Sequence, residues 1–249
     1  MKTLETVYTP RLLPLYDLTG TCVVVIDILR ATSSMCVAFD TGIERILPVS
    51  TPEECALFKD FDFLTAAERN AEKLPGYDLG NSPFEFQNPL LKGRKLAFTT
   101  TNGTKAIKQA RQQGAAEIVI GSFLNITALQ QHLQNQNRPV VLLCAGWKDK
   151  YNLEDTLFAG ALAYRLLNNF STTDDATLAA MDLYMQHSND LEGLVRKSSH
   201  AQRFKLLHRG TDDVHFCLQQ DYTALVPKLE GEYLVAQRTQ GEGGRAGSL

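Results

Sequence analysis

The sequence predicts an α/β fold, a three-layer α/β/α arrangement around a largely parallel or mixed sheet with a helical C-terminal region. Three observations carry this. Apolar runs such as Val23-Val24-Val25-Ile26 and Pro139–Cys144 have the composition of strands buried on both faces. They alternate with stretches of helical periodicity, the pattern of layered α/β proteins. From Asp174 to about Gln220 the strand signal gives way to amphipathic helices. A chain of 249 residues can bury a full core. Residues 1–238 are expected to form one domain, or two intimately packed lobes, and 239–249 a disordered tail without apolar content.

Taken in order, Leu4–Tyr8 reads as an edge strand ended by Thr9-Pro10, and Cys22–Ile28 as a buried strand. A helix over Ser34–Asp40 stops at Gly42. Glu44–Val49 is a short strand. Thr51-Pro52-Glu53-Glu54 then opens a helix with a hydroxyl cap, a first-turn proline and carboxylates facing the dipole. Phe61–Ala66 is a strand leading into Glu68-Arg69, and the Gly-, Pro- and Asn-rich segment Pro75–Pro89 a long surface loop. Lys95–Thr99, Glu117–Ile120 and Pro139–Cys144 are strands, with helices over Thr104–Gln112, Leu124–Leu133 and Leu153–Leu167. Val226–Ala236 returns one strand.

The net charge is −3 with no long block of one sign, so neither nucleic acid nor a membrane surface is expected as a partner. No stretch approaches the length needed to cross a bilayer, and the first residues lack the apolar core of a signal peptide. The five cysteines are scattered and none lies in a C-x-x-C pair. They read as reduced, partly buried thiols of a cytoplasmic protein.

Chemistry is expected where strands end. Asp27 and Arg30, just beyond the Cys22 strand, put a metal-capable carboxylate beside a phosphate-capable guanidinium. The same pair would equally serve as a helix cap and a structural ion pair. Thr99-Thr100-Thr101-Asn102-Gly103-Thr104 joins a strand to a helix, and its hydroxyls, permissive glycine and helix N-terminus suit a phosphate or sulfonate. An ordinary capped helix after an Asn-Gly turn has the same sequence. Ser122 and Asn125 offer polar contacts at a further strand end, while Glu154 and Asp155 either contribute carboxylates or merely complement a helix dipole. With Glu68 and Asp78 these acids form an oxygen-rich set suited to Mg²⁺ rather than zinc.

Several chemistries are excluded. There is no P-loop frame and no Gly-x-Ser-x-Gly elbow. Lys150 stands six residues after Cys144 where a cysteine-dependent phosphatase needs arginine, and Leu29 stands where an aspartyl-phosphate haloacid-dehalogenase pattern needs a second Asp. His187, His200, His208 and His215 lack ligand spacing and read as solvated or structural.

Five segments in register, VVVIDILRAT, GYDLGNSPFEF, TTTNGT, IGSFLN and NLEDTLFAGAL, resemble the 2-phosphosulfolactate phosphatase family, from about Val23 to Leu167 and more weakly to Val226. The resemblance implies a three-layer α/β fold, Mg²⁺ dependence and hydrolysis of a phosphate monoester of a small sulfonate, 2-phosphosulfolactate to sulfolactate, in coenzyme M biosynthesis. It also implies a homo-oligomer, as a dimer. Within this frame Asp27 would ligate Mg²⁺, with Glu68 or Asp155 as a further ligand or water-orienting base. Arg30, Thr32 and the segment Thr100, Thr101, Asn102, Gly103 and Thr104 would hold the phosphoryl group. Asn81, Ser82, Ser122 and Asn125 would grip the other acidic end of the substrate. The residues leave open whether Asp27 attacks phosphorus itself. They also leave open a non-catalytic module that senses a phosphorylated metabolite, and a purely structural protein.

Overall fold

Strand β2 (Cys22–Ile26) explains the layers. Cys22, Val24 and Ile26 belong to one hydrophobic core, Val23 and Val25 to another. Because side chains alternate across a strand, both faces of the sheet are covered. The computed structural model describes residues 2–69, 72–206 and 211–238. The expected tail at 239–249 lies outside them, as does His208.

The other strands are β1 (Lys2–Val7), β3 (Arg45–Pro48), β4 (Phe63–Arg69), β5 (Glu72–Lys73), β6 (Lys95–Thr99), β7 (Glu117–Gly121), β8 (Val140–Cys144), β9 (Phe170–Ser171), β10 (Leu225–Glu230) and β11 (Tyr233–Arg238). They form a mixed, mostly parallel sheet in the order β5-β4-β6-β3-β11-β10-β7-β2-β8-β1-β9. Helices α1 (Ala31–Thr41) and α3 (Gly103–Gln112) pack on the Val23/Val25 face. Helices α4 (Ile126–Asn135) and α5 (Leu153–Leu166) pack on the other. The short α2 (Pro52–Leu57), capped by Thr51, covers a small cluster at Leu47, Val49, Cys55 and Ala97. The C-terminal helices α6 (Asp175–His187), α7 (Leu191–Val195), α8 (Ser199–Leu206) and α9 (Thr211–Cys217) follow. Helix α6 lies close on α5 because Gly160 has no side chain; a Cβ there would stand 1.9 Å from the Ala180 carbonyl oxygen. All five cysteines are buried and unpaired.

Three elements differ from the sequence expectation. Residues 226–236 form not one strand but a hairpin, β10 and β11, turning at Gly231 with φ +60°. A two-residue turn leaves little local signal, and the apolar alternation runs on through it. The hairpin sits in the middle of the sheet. Strand β1 is not the edge, since the two-residue β9 pairs outside it. Helix α1 begins three residues before Ser34 because the hydroxyls of its first turn find backbone partners: Thr32 donates to the Asp27 carbonyl at 2.9 Å, Ser33 to Ile28 at 2.9 Å and Ser34 to Asn81 at 2.8 Å.

The hairpin also sets the direction of the strands. β4, β6 and β3 run parallel to one another, as do β7, β2, β8 and β1. β11 is antiparallel to β3, β10 to β11, and β7 to β10. The two parallel groups therefore run in opposite senses along the sheet. In a flat sheet their carboxyl ends would lie at opposite edges. Between β2 and β6 there are five strand-to-strand steps, and a twist of roughly 20–25° at each accumulates to about 100–125°. With a rotation of that size the two groups no longer point in opposite directions, so their carboxyl ends can reach one side.

Candidate active site

Those ends line one cavity of about 250 Å³. The segment after β2 contributes Asp27, Leu29 and Arg30, β4 contributes Glu68, and the loop after β5 contributes Asn81. The segment after β6 contributes Thr100, Thr101 and Asn102, and the one after β8 Trp147 and Lys148. Helix α8 closes the wall with His200, Arg203, Phe204 and Leu206.

Asp27 is buried at the end of its strand. Thr32 does not reach the cavity but fixes the Asp27 backbone, accepting from its N–H at 3.0 Å and donating to its carbonyl. Burial pushes the Asp27 carboxyl up to about 6; nearby Glu68 and Glu154 act in the same direction, while His200 and a hydrogen bond from the Ala31 amide oppose it. Gly103 gives Asp27 room, since a Cβ there would meet the Ala31 Cβ at 2.7 Å and Asp27 Oδ2 at 2.9 Å. Thr104 and Thr100 fold the preceding turn, with Thr104 Oγ1 donating to the Thr100 carbonyl at 3.0 Å.

Two helices start at this cavity without a side-chain cap. The Ncap residue of α1 is Arg30 and that of α3 is Asn102, and neither makes a side-chain cap hydrogen bond. Asn102 instead accepts from the Lys148 amide at 3.4 Å. Asp27 takes the Ala31 amide, the Asp27 carbonyl the Thr32 amide at 3.0 Å and Thr100 Oγ1 the Thr104 amide at 3.4 Å, so what both helices turn toward one place is their positive dipole ends. Arg30 pairs with buried Asp213 and lies 4.8 Å from the Phe204 ring centroid. The second oxygen of Asp213 accepts from Ser82 at 2.7 Å. Ser82 therefore touches Asp213 rather than the cavity, while its neighbour Asn81 lines the cavity and, among the described residues, its buried Oδ1 has no hydrogen-bond partner.

Other predicted site residues lie elsewhere. Ser122 and Asn125 are fully buried in a capping box at the end of β7, and Asn125 Nδ2 donates to the Ile120 and Leu225 carbonyls at 3.2 Å each. Asn125 joins β7 to the central hairpin, the Ser122 hydroxyl meets that of Ser33 in α1 at 2.9 Å, and neither residue lines the cavity. Asp155 lies beneath it, its two oxygens accepting the Ile28 amide at 2.8 Å and the Gly146 amide at 3.2 Å, which ties the ends of β2 and β8 together. Burial, with Asp27 and Glu154 close by, raises its pKa. Asp78 is held by the Thr65 amide and hydroxyl at 2.8 and 2.9 Å.

Sequence patterns do not single out α8 and α9. His200 is not solvated: its Nδ1 is 2.8 Å from buried Glu154, it packs on Phe204, and it lines the cavity. Arg203 stacks on Trp147 with its guanidinium carbon 3.7 Å from the ring centroid. Asp213 completes the Arg30 clamp. The available signal for His200 was Glu154, a carboxylate at a helix start beyond what its cap required.

The arrangement is that of an α/β enzyme of the phosphatase class, with cations and helix N-termini to take a phosphoryl group and carboxylates to serve the reaction at it. The comparisons with known proteins agree. A family model described as 2-phosphosulpholactate phosphatase matches residues 7–232, and the chain belongs to that family. A probable 2-phosphosulfolactate phosphatase of Caldanaerobacter subterraneus subsp. tengcongensis is 40% identical over 86% of this chain and 90% of that protein. Another from Thermotoga maritima is 39% identical over 83% and 88%. One from Synechocystis sp. is 36% identical over 89% and 93%. Among the described residues no helix is long and apolar enough to cross a membrane.

Proposed function

We propose that the protein is a Mg²⁺-dependent phosphatase that hydrolyses 2-phosphosulfolactate to sulfolactate and inorganic phosphate. The observation that carries this reading is the meeting of two helix N-termini, clamped Arg30 and the carboxylates Asp27 and Glu68 at one cavity. Arg30 and the positive dipole ends of α1 and α3 hold the phosphoryl oxygens and receive the charge that builds on them.

The donor set fits Mg²⁺. Among the described residues no group of three or more His, Cys, Asp or Glu side chains encloses a metal. Mg²⁺ commonly takes only one or two carboxylates, however, with water and substrate oxygens completing its shell. Asp27 and Glu68 supply such a pair, and Asp155 supports the backbone beneath them. Bound there, the ion would neutralise phosphoryl charge and acidify a water.

The attacking water adds to phosphorus and gives a proton to Glu68, the bond from phosphorus to the ester oxygen breaks, and that oxygen needs a proton. His200 supplies it from Nε2, since Glu154 holds Nδ1 and fixes the ring. A reducing, cytoplasmic setting suits the five unpaired thiols, coenzyme M biosynthesis is the pathway that the substrate suggests, and a homodimer completes the reading on base rates. The test is phosphate release from 2-phosphosulfolactate, phosphoglycolate, phosphoglycerate and phospholactate, with Mg²⁺ and then with EDTA. Metal-dependent release selective for the sulfonate is the expected result. Stabilisation by these compounds without release would make the chain a sensor instead.

A further inference from the structure

We propose that Arg203, with Lys148, forms a second anion subsite on the Trp147 wall of the cavity, which takes the non-phosphate acid of the substrate, a sulfonate or carboxylate. This rests on the phosphatase reading of the same cavity. It assigns the acid end to residues other than Ser122 and Asn125, whose polar groups are spent on each other, on Ser33 and on the hairpin.

The two arginines of the cavity differ in how they are held. Arg30 is paired with Asp213. Arg203 Nη2 is buried and, among the described residues, has no hydrogen-bond partner. A buried guanidinium N–H left unpaired is costly, and an anionic oxygen is what such a fork matches best. Burial also lowers the Arg203 pKa, with Glu154 acting against it. Stacking on Trp147 fixes the plane of the fork in advance.

Lys148 brings a second cation to the same indole, its Nζ 4.6 Å from the ring centroid. Two like charges on one aromatic ring repel unless an anion shares them. The subsite is also joined to the phosphate end. The Lys148 amide donates to Asn102, the Ncap residue of α3. Arg203 and Phe204 are successive residues of α8, pointing about 100° apart around its axis; the first faces Trp147 and the second faces Arg30. One helix thus separates two guanidinium groups, which suits a small molecule carrying two acids.

The experiment compares two secondary phosphate esters, 2-phosphosulfolactate and isopropyl phosphate, in wild type, Arg203→Met and Arg203→Lys. Methionine keeps a flexible chain against Trp147 and removes the fork. The ratio of kcat/KM for the sulfonate ester over the neutral ester is expected to fall about 30-fold in Arg203→Met, the scale of a charged hydrogen bond. The loss should lie in KM, with Arg203→Lys intermediate. An unchanged ratio, whether both esters weaken equally or neither does, overturns the subsite. A second readout needs no turnover. Sulfoacetate and inorganic phosphate should each raise the thermal midpoint of wild type, and Arg203→Met should lose only the sulfoacetate effect. If wild type hydrolyses neither ester yet shows this selective loss, the phosphatase reading fails and the subsite stands. If sulfoacetate does not stabilise wild type, the subsite fails whatever the activity.

Discussion

Replacing Asp27 by asparagine removes a charge that the fold makes costly. In an unfolded chain an aspartate titrates near 3.8, and here it is pushed up to about 6. The folded state therefore binds the proton more tightly, and stability falls as pH rises between those values. Above about pH 6 the full cost is present. A shift of that size corresponds to about 3 kcal/mol at pH 7.5 and roughly half as much at pH 5. An asparagine at this position carries no such charge, and its amide can donate to the neighbouring carboxylates. Urea unfolding in EDTA should therefore show Asp27→Asn more stable than wild type at pH 7.5, by up to about 3 kcal/mol, with the gap narrowing at pH 5. The variant should release no phosphate. Added Mg²⁺ should raise the stability of wild type and leave the variant unchanged, because only a folded site with its carboxylate gains from the ion. A variant less stable than wild type at both pH values would refute the account of Asp27 as a strained, buried charge. An active, folded variant would remove it from the reaction.

Three further outcomes follow from the geometry. Gly103→Ala places a methyl against Ala31 and Asp27; phosphate release should fall at least about tenfold and stability by about 1–3 kcal/mol, read by turnover and urea melts. His200→Gln should lower kcat about 10²-fold or more for an alkyl phosphate but far less for p-nitrophenyl phosphate, whose leaving group needs no proton; equal losses on both would deny the proton-donating role. Glu117 is held at about 2 by its hydrogen bond to His132 and by Lys228, despite burial. Because the folded value lies below the unfolded one, its stabilisation is present above about pH 4.5 and is lost as pH falls toward 2. Glu117→Gln should cost on the order of 2 kcal/mol at pH 7, less than the shift alone implies because Lys228 is partly solvated, and less than half of that at pH 3.

What the sequence revealed of the site was local. Asp27, Arg30 and Thr100–Asn102 each follow a strand and precede a helix, so strand composition and the polar residues at its end single them out, although the same residues also fit ordinary helix caps. Glu68 and Asn81 came from the same logic of strand ends and loops. His200, Arg203 and Asp213 carry no such mark, because α8 reaches the cavity, and α9 reaches Arg30, only through tertiary packing, more than 160 residues after Asp27. Ser122 and Asn125 show the converse. They are polar, at a strand end and before a helix, yet their partner is a strand a hundred residues later, β10, whose carbonyl Asn125 binds. The fold class was readable from alternation alone. The central hairpin was not, since its position depends on pairings with β3 and β7 that no local pattern encodes.

That hairpin has a consequence for how the protein is made. Synthesis proceeds from the N-terminus, so β2, β4, β6 and β8, with the cavity residues at their ends, all leave the ribosome before residues 225–238 exist. Until then the β3 and β7 edges have no strand between them, and each half presents open backbone groups to other chains. The cavity is therefore among the last features to assemble, although most of its residues come early. A chain cut short before Leu225 would hold all the chemistry named above and no means of bringing it together, and it would be an aggregating species rather than a weak enzyme.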